Sequence, residues 1–139
     1  MESETQVKQL IYRSFVDDDT SEADIYRMIR HAQKYNIEHG LSGFLICDSK
    51  NFVQLIEGAV SQVNRLFDKI KIDERHHEVE VQYRDMSLSR IMPFLGMGLC
   101  LLNCKVDFQQ DFYFTRLQAK EFSSLFEGKV GNYFRGFLA

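Results

Sequence analysis

The sequence predicts an α+β fold, a ferredoxin-like sandwich with elements in the order β-α-β-β-α-β-β followed by a C-terminal helical segment. Three observations carry this expectation. Five short stretches are continuously apolar or alternate with period two, two intervening stretches repeat their apolar residues at helical spacing, and aromatic residues stay frequent after the last strand signal. The chain has 139 residues, and one hydrophobic core normally serves about 100–200. A single main domain is therefore expected.

The elements follow in order. Residues 8–15, Lys8-Gln9-Leu10-Ile11-Tyr12-Arg13-Ser14-Phe15, are rich in aliphatic and aromatic side chains and end at the acidic turn Asp17-Asp18-Asp19, which reads as a first strand. Ser21 followed by Asp24 suits a helix N-cap, and Ile25, Met28, Ile29 and Ala32 then recur on one face, so a helix over about 22–39 ends at Gly40. Segments 41–48 and 51–57 are apolar runs parted only by Ser49-Lys50, the length of a tight hairpin, although the favoured Asn-Gly turn chemistry is missing. Val60, Val63, Phe67 and Ile70 mark a second amphipathic helix that gives way to Asp73-Glu74-Arg75. Val79, Val81 and Tyr83 alternate as a fourth strand, and Met97 to Leu102 form a fifth.

In a ferredoxin-like sandwich both helices cover one sheet face and leave the other bare. Phe108, Phe112, Phe114, Phe122, Leu125, Phe126, Phe134 and Phe137 follow the last strand, too many apolar groups for a solvated tail. Helices over 106–139 are expected to cover the bare face, a partner, or both. Pro93 is the sole proline, and neither a repeat nor a low-complexity stretch is present.

Composition narrows the function. The 45% hydrophobic and 27% charged fractions are ordinary for a globular protein, and a net charge of −3 provides no electrostatic attraction to nucleic acid or an anionic membrane. Met1 to Val7 is polar, unlike a signal peptide, and no apolar run approaches the roughly 18 residues of a membrane span, so a cytoplasmic location is expected. Cys47, Cys100 and Cys104 lack a CxxC pair, and His76-His77 are adjacent on a strand start where they point apart, so neither a disulfide framework nor a metal site is expected. The common phosphate-loop, dinucleotide, zinc-protease and serine-hydrolase motifs are absent.

Three polar residues occupy positions where the pattern calls for apolar ones. Asn36 lies eleven residues after Ile25 and returns to within about 20° of its helical direction, which puts it on the core-facing stripe. A buried carboxamide without partners costs about 1–3 kcal/mol, so a group near the helix end should bond to it. In strand three, Phe52, Gln54 and Ile56 share one face while Val53, Leu55 and Glu57 share the other, so Gln54 interrupts an apolar surface. A glutamine offers an acceptor oxygen and a two-hydrogen donor that exchange places on rotation, which suits a switchable bridge. On the facing strand, Leu10, Tyr12 and Ser14 lie on one side, and Tyr12 can supply a phenol to that bridge. Taken separately, Tyr12 also reads as a core-edge residue, Gln54 as strand surface, and Asn36 as a helix-end residue bonding nearby backbone. Together they suit a flat ligand with a polar edge.

The phrases Asn36-x-x-x-Gly40-Leu41-Ser42-Gly43, Asn51-Phe52-Val53-Gln54-Leu55-Ile56-Glu57-Gly58 and Asp73-x-Arg75-His76, with the opening Leu10-Ile11-Tyr12-Arg13-Ser14, resemble the signature of the BLUF family of blue-light receptors. The resemblance covers about residues 8–102 and is carried by the joint order and spacing of these phrases. It implies a non-covalent flavin, FAD, with FMN or riboflavin as substitutes, inserted between the two helices with its polar edge towards strands one and three. It further implies that Tyr12 is the redox-active phenol, Gln54 the switching amide, and Asn36 the residue bonded to the flavin C4=O and N3–H edge. Ile29, Tyr35, Arg75 and His76 complete the implied cofactor contacts, and Tyr35 replaces the Asn or His common in the family. Arg90 to Met97 resembles the family's strand-five motif, which makes Met97 the signalling methionine and sets Leu95 where many members carry tryptophan.

On this resemblance residues 1–105 form the flavin-binding domain and 106–139 a cap or coupling segment. The expected photochemistry is electron and proton transfer from Tyr12 to the flavin through Gln54, then recombination that leaves the amide rotated or tautomerised and the flavin spectrum shifted to the red. The expected output, with no enzyme domain in the sequence, is a changed contact with an unidentified downstream protein or within a homo-oligomer, and no catalysis of its own. Rival readings are a ferredoxin-like module without flavin, an acylphosphatase-like hydrolase, and a thiol-adduct receptor using Cys47.

Overall fold

A computed structural model describes residues 6–103, 113–123 and 128–138. The elements are β1 (Val7–Phe15), α1 (Glu22–Glu38), β2 (Ser42–Asp48), β3 (Asn51–Gly58), α2 (Val60–Ile72), β4 (His77–Ser87), β5 (Gly98–Leu102), β6 (Tyr113–Phe114), α3 (Arg116–Ser123) and α4 (Gly128–Leu138). They form the predicted ferredoxin-like sandwich with C-terminal helices. The strands make one sheet in the order β4-β1-β3-β2-β5-β6. It is mixed, because β1 pairs antiparallel with β3 and β4, β2 pairs antiparallel with β3, and β5 runs parallel to both β2 and β6.

Local chemistry explains the boundaries. Ser21 is the N-cap of α1, its Oγ accepting from the Asp24 amide at 3.1 Å, and the helix closes where Gly40 takes φ +66°, a conformation that costs glycine little. The β2–β3 hairpin turns through Ser49 at φ +56° and Lys50, with Asp48 opposite Asn51 as the closing pair. A serine in that region carries a penalty that glycine avoids. Ser49→Gly is expected to raise stability by about 0.5–1 kcal/mol, read as a higher midpoint in urea at unchanged slope.

Period-two alternation divides the buried residues between two faces. The face that meets α1 and α2 carries Leu10, Tyr12, Leu45, Phe52, Ile56 and Leu99 against Ile25, Met28, Ile29, Val63, Phe67 and Ile70. The opposite face carries Ile11, Phe44, Ile46, Val53, Leu55 and Cys100, and Ala119 of α3 and Phe134 and Leu138 of α4 pack on it. Sheet and helices thus form three layers. Phe108, Phe112, Leu125, Phe126 and Cys104 lie outside the described residues. None of the described helices is long and apolar enough to cross a membrane.

Two expectations need correcting. Strand five begins at Gly98, so Met97 stands just before it, and the short strand β6, too brief for any periodic signal, extends the sheet beyond it. The β1–β4 pairing also slips by one residue between Ile11 and Tyr12, leaving Gln82 extra on β4 and a bulge beside Tyr12.

Candidate functional site

A cavity of about 220 Å³ opens between α1 and α2, with the sheet as its floor. Met28, Ile29, Ala32 and Tyr35 of α1 form one wall and Leu66, Lys69 and Ile70 of α2 the other. Tyr12, Leu45, Phe52, Gln54 and Met97 make the floor, and Asp73, Arg75 and His76, between α2 and β4, close one end.

The polar part of the floor follows from strand register. Tyr12 and Gln54 are directly opposite one another in the β1–β3 ladder, so both side chains leave the sheet on the same face. The Tyr12 hydroxyl donates to Gln54 Oε1, and Gln54 Nε2 donates to Met97 Sδ at 3.2 Å. Tyr12 is 1% exposed, Gln54 5% and Met97 3%, so the chain of three is sealed from solvent on the protein side. Burial pushes the Tyr12 phenol well above its ordinary range and the negative charge of Asp73 adds to this, so the hydroxyl keeps its proton and donates it. Glutamine has a second amide hydrogen beyond the one given to Met97.

The end of the cavity is a charged cluster. Arg75 Nε and Nη2 both reach the Asp73 carboxylate, at 3.0 and 2.6 Å, and these bonds hold Asp73 below the usual carboxylate range. His76 sits between Tyr12 and Phe52, its Nδ1 2.9 Å from Ser14 Oγ, and burial lowers its affinity for a proton. His77 turns to Phe15 instead, so the adjacent histidines diverge. Among the described residues, no group of three potential ligands is arranged to hold a metal ion.

The structure thus brings Tyr12, Ile29, Tyr35, Gln54, Arg75, His76 and Met97 to one cavity. Asn36 is fully buried beyond its wall, with Nδ2 donating to Gly96 O at 3.0 Å and Oδ1 without a partner among the described residues. Leu95 lies away from the cavity and is 47% exposed. Cys47 is buried with its thiol 3.4 Å from Ser49 O and does not line the cavity. Sequence reasoning did not single out Lys69, whose ammonium stands 4.7 Å from the centre of the Tyr35 ring, or Leu66 and His31. Leu66 and Lys69 each precede a residue of the apolar stripe, Phe67 and Ile70, and that one-residue offset was the available signal.

The residues present fit a flat aromatic cofactor. The walls are largely apolar, the floor offers a phenol and an amide, and the Tyr35 hydroxyl is buried at the wall with no protein partner among the described residues. Such a pocket between two helices, floored by a phenol and an amide, defines a small-molecule-binding α+β module. The chain belongs to the BLUF family, described as sensors of blue-light using FAD, whose profile matches residues 7–97. Flavin is accordingly its cofactor, and the family is one of sensors.

Among known proteins, the chain is 32% identical over 90 residues to the blue light- and temperature-regulated antirepressor BluF of Escherichia coli K12, covering 65% of this chain and 22% of that protein. It is 36% identical over 74 residues to photoactivated adenylate cyclase subunit beta of Euglena longa, covering 52% of this chain and 9% of the relative. The chain therefore spans only a small part of the curated relatives it matches. Among solved structures, the BLUF protein BlrB in its dark state superposes with a TM-score of 0.65 at 31% identity, covering 69% of this chain and 73% of that one. A calcium and cyclic-diGMP complex of Klebsiella pneumoniae BlrP1 reaches a TM-score of 0.75 at 25% identity over 95% of this chain and 34% of its own.

Proposed function

We propose that light is converted in this chain into a changed contact between Gln54 and Met97, with Tyr12 as the phenol that sets the change off. The observation that carries this reading is the unbroken chain Tyr12 Oη to Gln54 Oε1 and Gln54 Nε2 to Met97 Sδ along the cavity floor. When bound, the flavin supplies blue-light absorption and, once excited, an oxidising centre. The protein's part is a proton held at Tyr12 Oη beside an acceptor at Gln54 Oε1. A phenol that loses an electron becomes a strong acid, and the amide oxygen is the group in line to take its proton. When the electron and a proton return to Tyr12, Gln54 is left neutral but rotated or tautomerised, and either change alters what its nitrogen side presents to Met97.

FAD is the preferred cofactor, with FMN or riboflavin also accommodated by contacts centred on the ring system; one solved structure of Klebsiella pneumoniae BlrP1 is a complex with FMN. Ile29 and Tyr35 form part of its wall, and Arg75 and His76 face its end. Asn36 brings an unsatisfied Oδ1, an acceptor suited to the ring N3–H, while its Nδ2 is committed to Gly96. Residues 1–105 act as the flavin-binding domain and 106–139 as the cap and coupling segment. Met97, soft and adaptable, passes the change on, and Leu95 presents the neighbouring loop to the outside. The partner is a downstream protein or a second copy of the chain, acting in the cytoplasm.

An absorption spectrum before and after blue light tests the reading. The purified protein is expected to be yellow and to shift its flavin band to the red reversibly. A colourless protein that takes up no added FAD overturns it, and a bleached band points to thiol-adduct chemistry instead.

A further inference from the structure

Three residues on from Gln54, and on the other face of β3, Glu57 is fully buried, at 0% exposure. Its Oε1 accepts from Ser42 Oγ at 3.1 Å and from the Met92 amide at 2.6 Å. Its Oε2 accepts from Gln9 Nε2 at 3.2 Å and from the Ile91 amide at 2.9 Å. A carboxylate has about four acceptor positions, and each of these has a donor. Two of those donors are consecutive backbone amides of the segment that leads into β5.

That segment is fixed again at its far end. The Gly96 amide donates to Leu41 O at 2.9 Å, and Gly96 O accepts from Asn36 Nδ2 at 3.0 Å. Met97 O accepts from Gln33 Nε2 at 3.2 Å while Met97 Sδ meets the Gln54 amide. Between the two fixed points Phe94 and Leu95 are 43% and 47% exposed. Met92 is itself a plug: a Cβ on Gly98 would come within 2.9 Å of its Cε, so glycine is what lets it seat against β5.

We propose that Glu57 is a positioning residue of the light-sensing site, which by holding Ile91 and Met92 sets how the chain reaches Met97 and keeps Met97 Sδ against the Gln54 amide. This rests on the reading of Tyr12, Gln54 and Met97 given above. Gln54 and Glu57 are tied through one strand, so the amide that changes and the carboxylate that stays belong to one rigid body. Residues 93–95 span the two bonded ends; both ends are held in the dark, and light loosens the Gly96–Met97 end while residues 91 and 92 stay held.

The test uses the full flavin-loaded chain and Glu57→Gln. An amide in place of the carboxylate turns an NH2 towards one of the two backbone amides, Ile91 or Met92, and releases it, while the side-chain donor on the same side, Gln9 or Ser42, can rotate to accept. The variant is expected to bind flavin and shift red in light, to recover in the dark about tenfold faster, and to lose hydrogen-exchange protection at Gly96 as well as at one of Ile91 and Met92. A role confined to stability gives no coupling with Met97. Positioning through Met97 requires that Glu57→Gln change recovery by less than about twofold once Met97→Leu is present. Effects that multiply independently overturn the proposal.

A wild-type measurement decides the case if the variant does not fold. Illumination is expected to change exchange at Gly96 and leave Ile91 and Met92 protected; equal loss at both ends overturns the fixed-end role. If the wild-type chain shows no red shift, the proposed function fails on its own. The clamp is then judged by dark-state exchange, where protection of Gly96 retained in Glu57→Gln overturns it.

Discussion

Tyr12→Phe is expected to leave a yellow protein whose spectrum no longer shifts in blue light. Phenylalanine keeps the ring against Phe67, 5.8 Å between centroids, and so keeps the cavity floor. It removes the one hydroxyl that donates to Gln54 Oε1, in a site where that oxygen is 5% exposed as part of its residue and has no easy substitute. The uncompensated amide costs about 1–3 kcal/mol, which a domain of this size tolerates. The electron and proton source is lost altogether, so the shift should vanish and not merely weaken. Difference spectra of wild type and variant, matched for flavin content, check this. A normal shift in the variant removes Tyr12 from the photochemistry.

Gly43→Ala is expected to cause the largest loss of stability of any single methyl added in the described sheet. Gly43 pairs with Ile56 in the β2–β3 ladder, and a Cβ there would lie 2.1 Å from the Leu55 carbonyl oxygen and 3.2 Å from its carbon. Both atoms are backbone, so no rotamer change relieves the overlap and the two strands must part. Overpacking ordinarily costs about 1–3 kcal/mol, and backbone against backbone belongs at or above the top of that range. A midpoint of thermal unfolding lower by roughly 10 °C is expected, together with weaker flavin retention, because Ile56 is two residues from Gln54. Calorimetry of the flavin-loaded proteins measures it. A loss below about 1 kcal/mol means that β2 and β3 approach less closely than the ladder requires.

How much of this was legible beforehand depended on the range of the interaction. Alternation in β1 and β3 put Tyr12 and Gln54 on inward faces, and strand register makes them meet, because period two leaves no other face to occupy. Helical periodicity likewise identified Asn36 as buried. Its partner, the Gly96 carbonyl sixty residues on, is set by how the segment after β4 folds back over the end of α1, which no local pattern encodes. The same holds for Glu57: alternation placed it beside Val53 and Leu55, but the amides of Ile91 and Met92 that make its burial tolerable come from another part of the chain. Arg90 adds to this cluster by donating to Ser42 Oγ and Gly40 O, each at 2.8 Å. The motif spanning Arg90 to Met97 showed that the segment mattered; the structure adds that its first residues grip the rear of the sheet while its last reaches the cavity.

The direct opposition of Tyr12 and Gln54 has a consequence for how the protein reports on itself. They are one rung of an antiparallel ladder, and a slip of a single residue along β1 or β3 would turn one of them to the other side of the sheet. Photoresponse is therefore a gauge of correct strand alignment as well as of pigment content. During renaturation, molecules that take up colour before they gain the light-induced change are those in which β1 and β3 have yet to find their match.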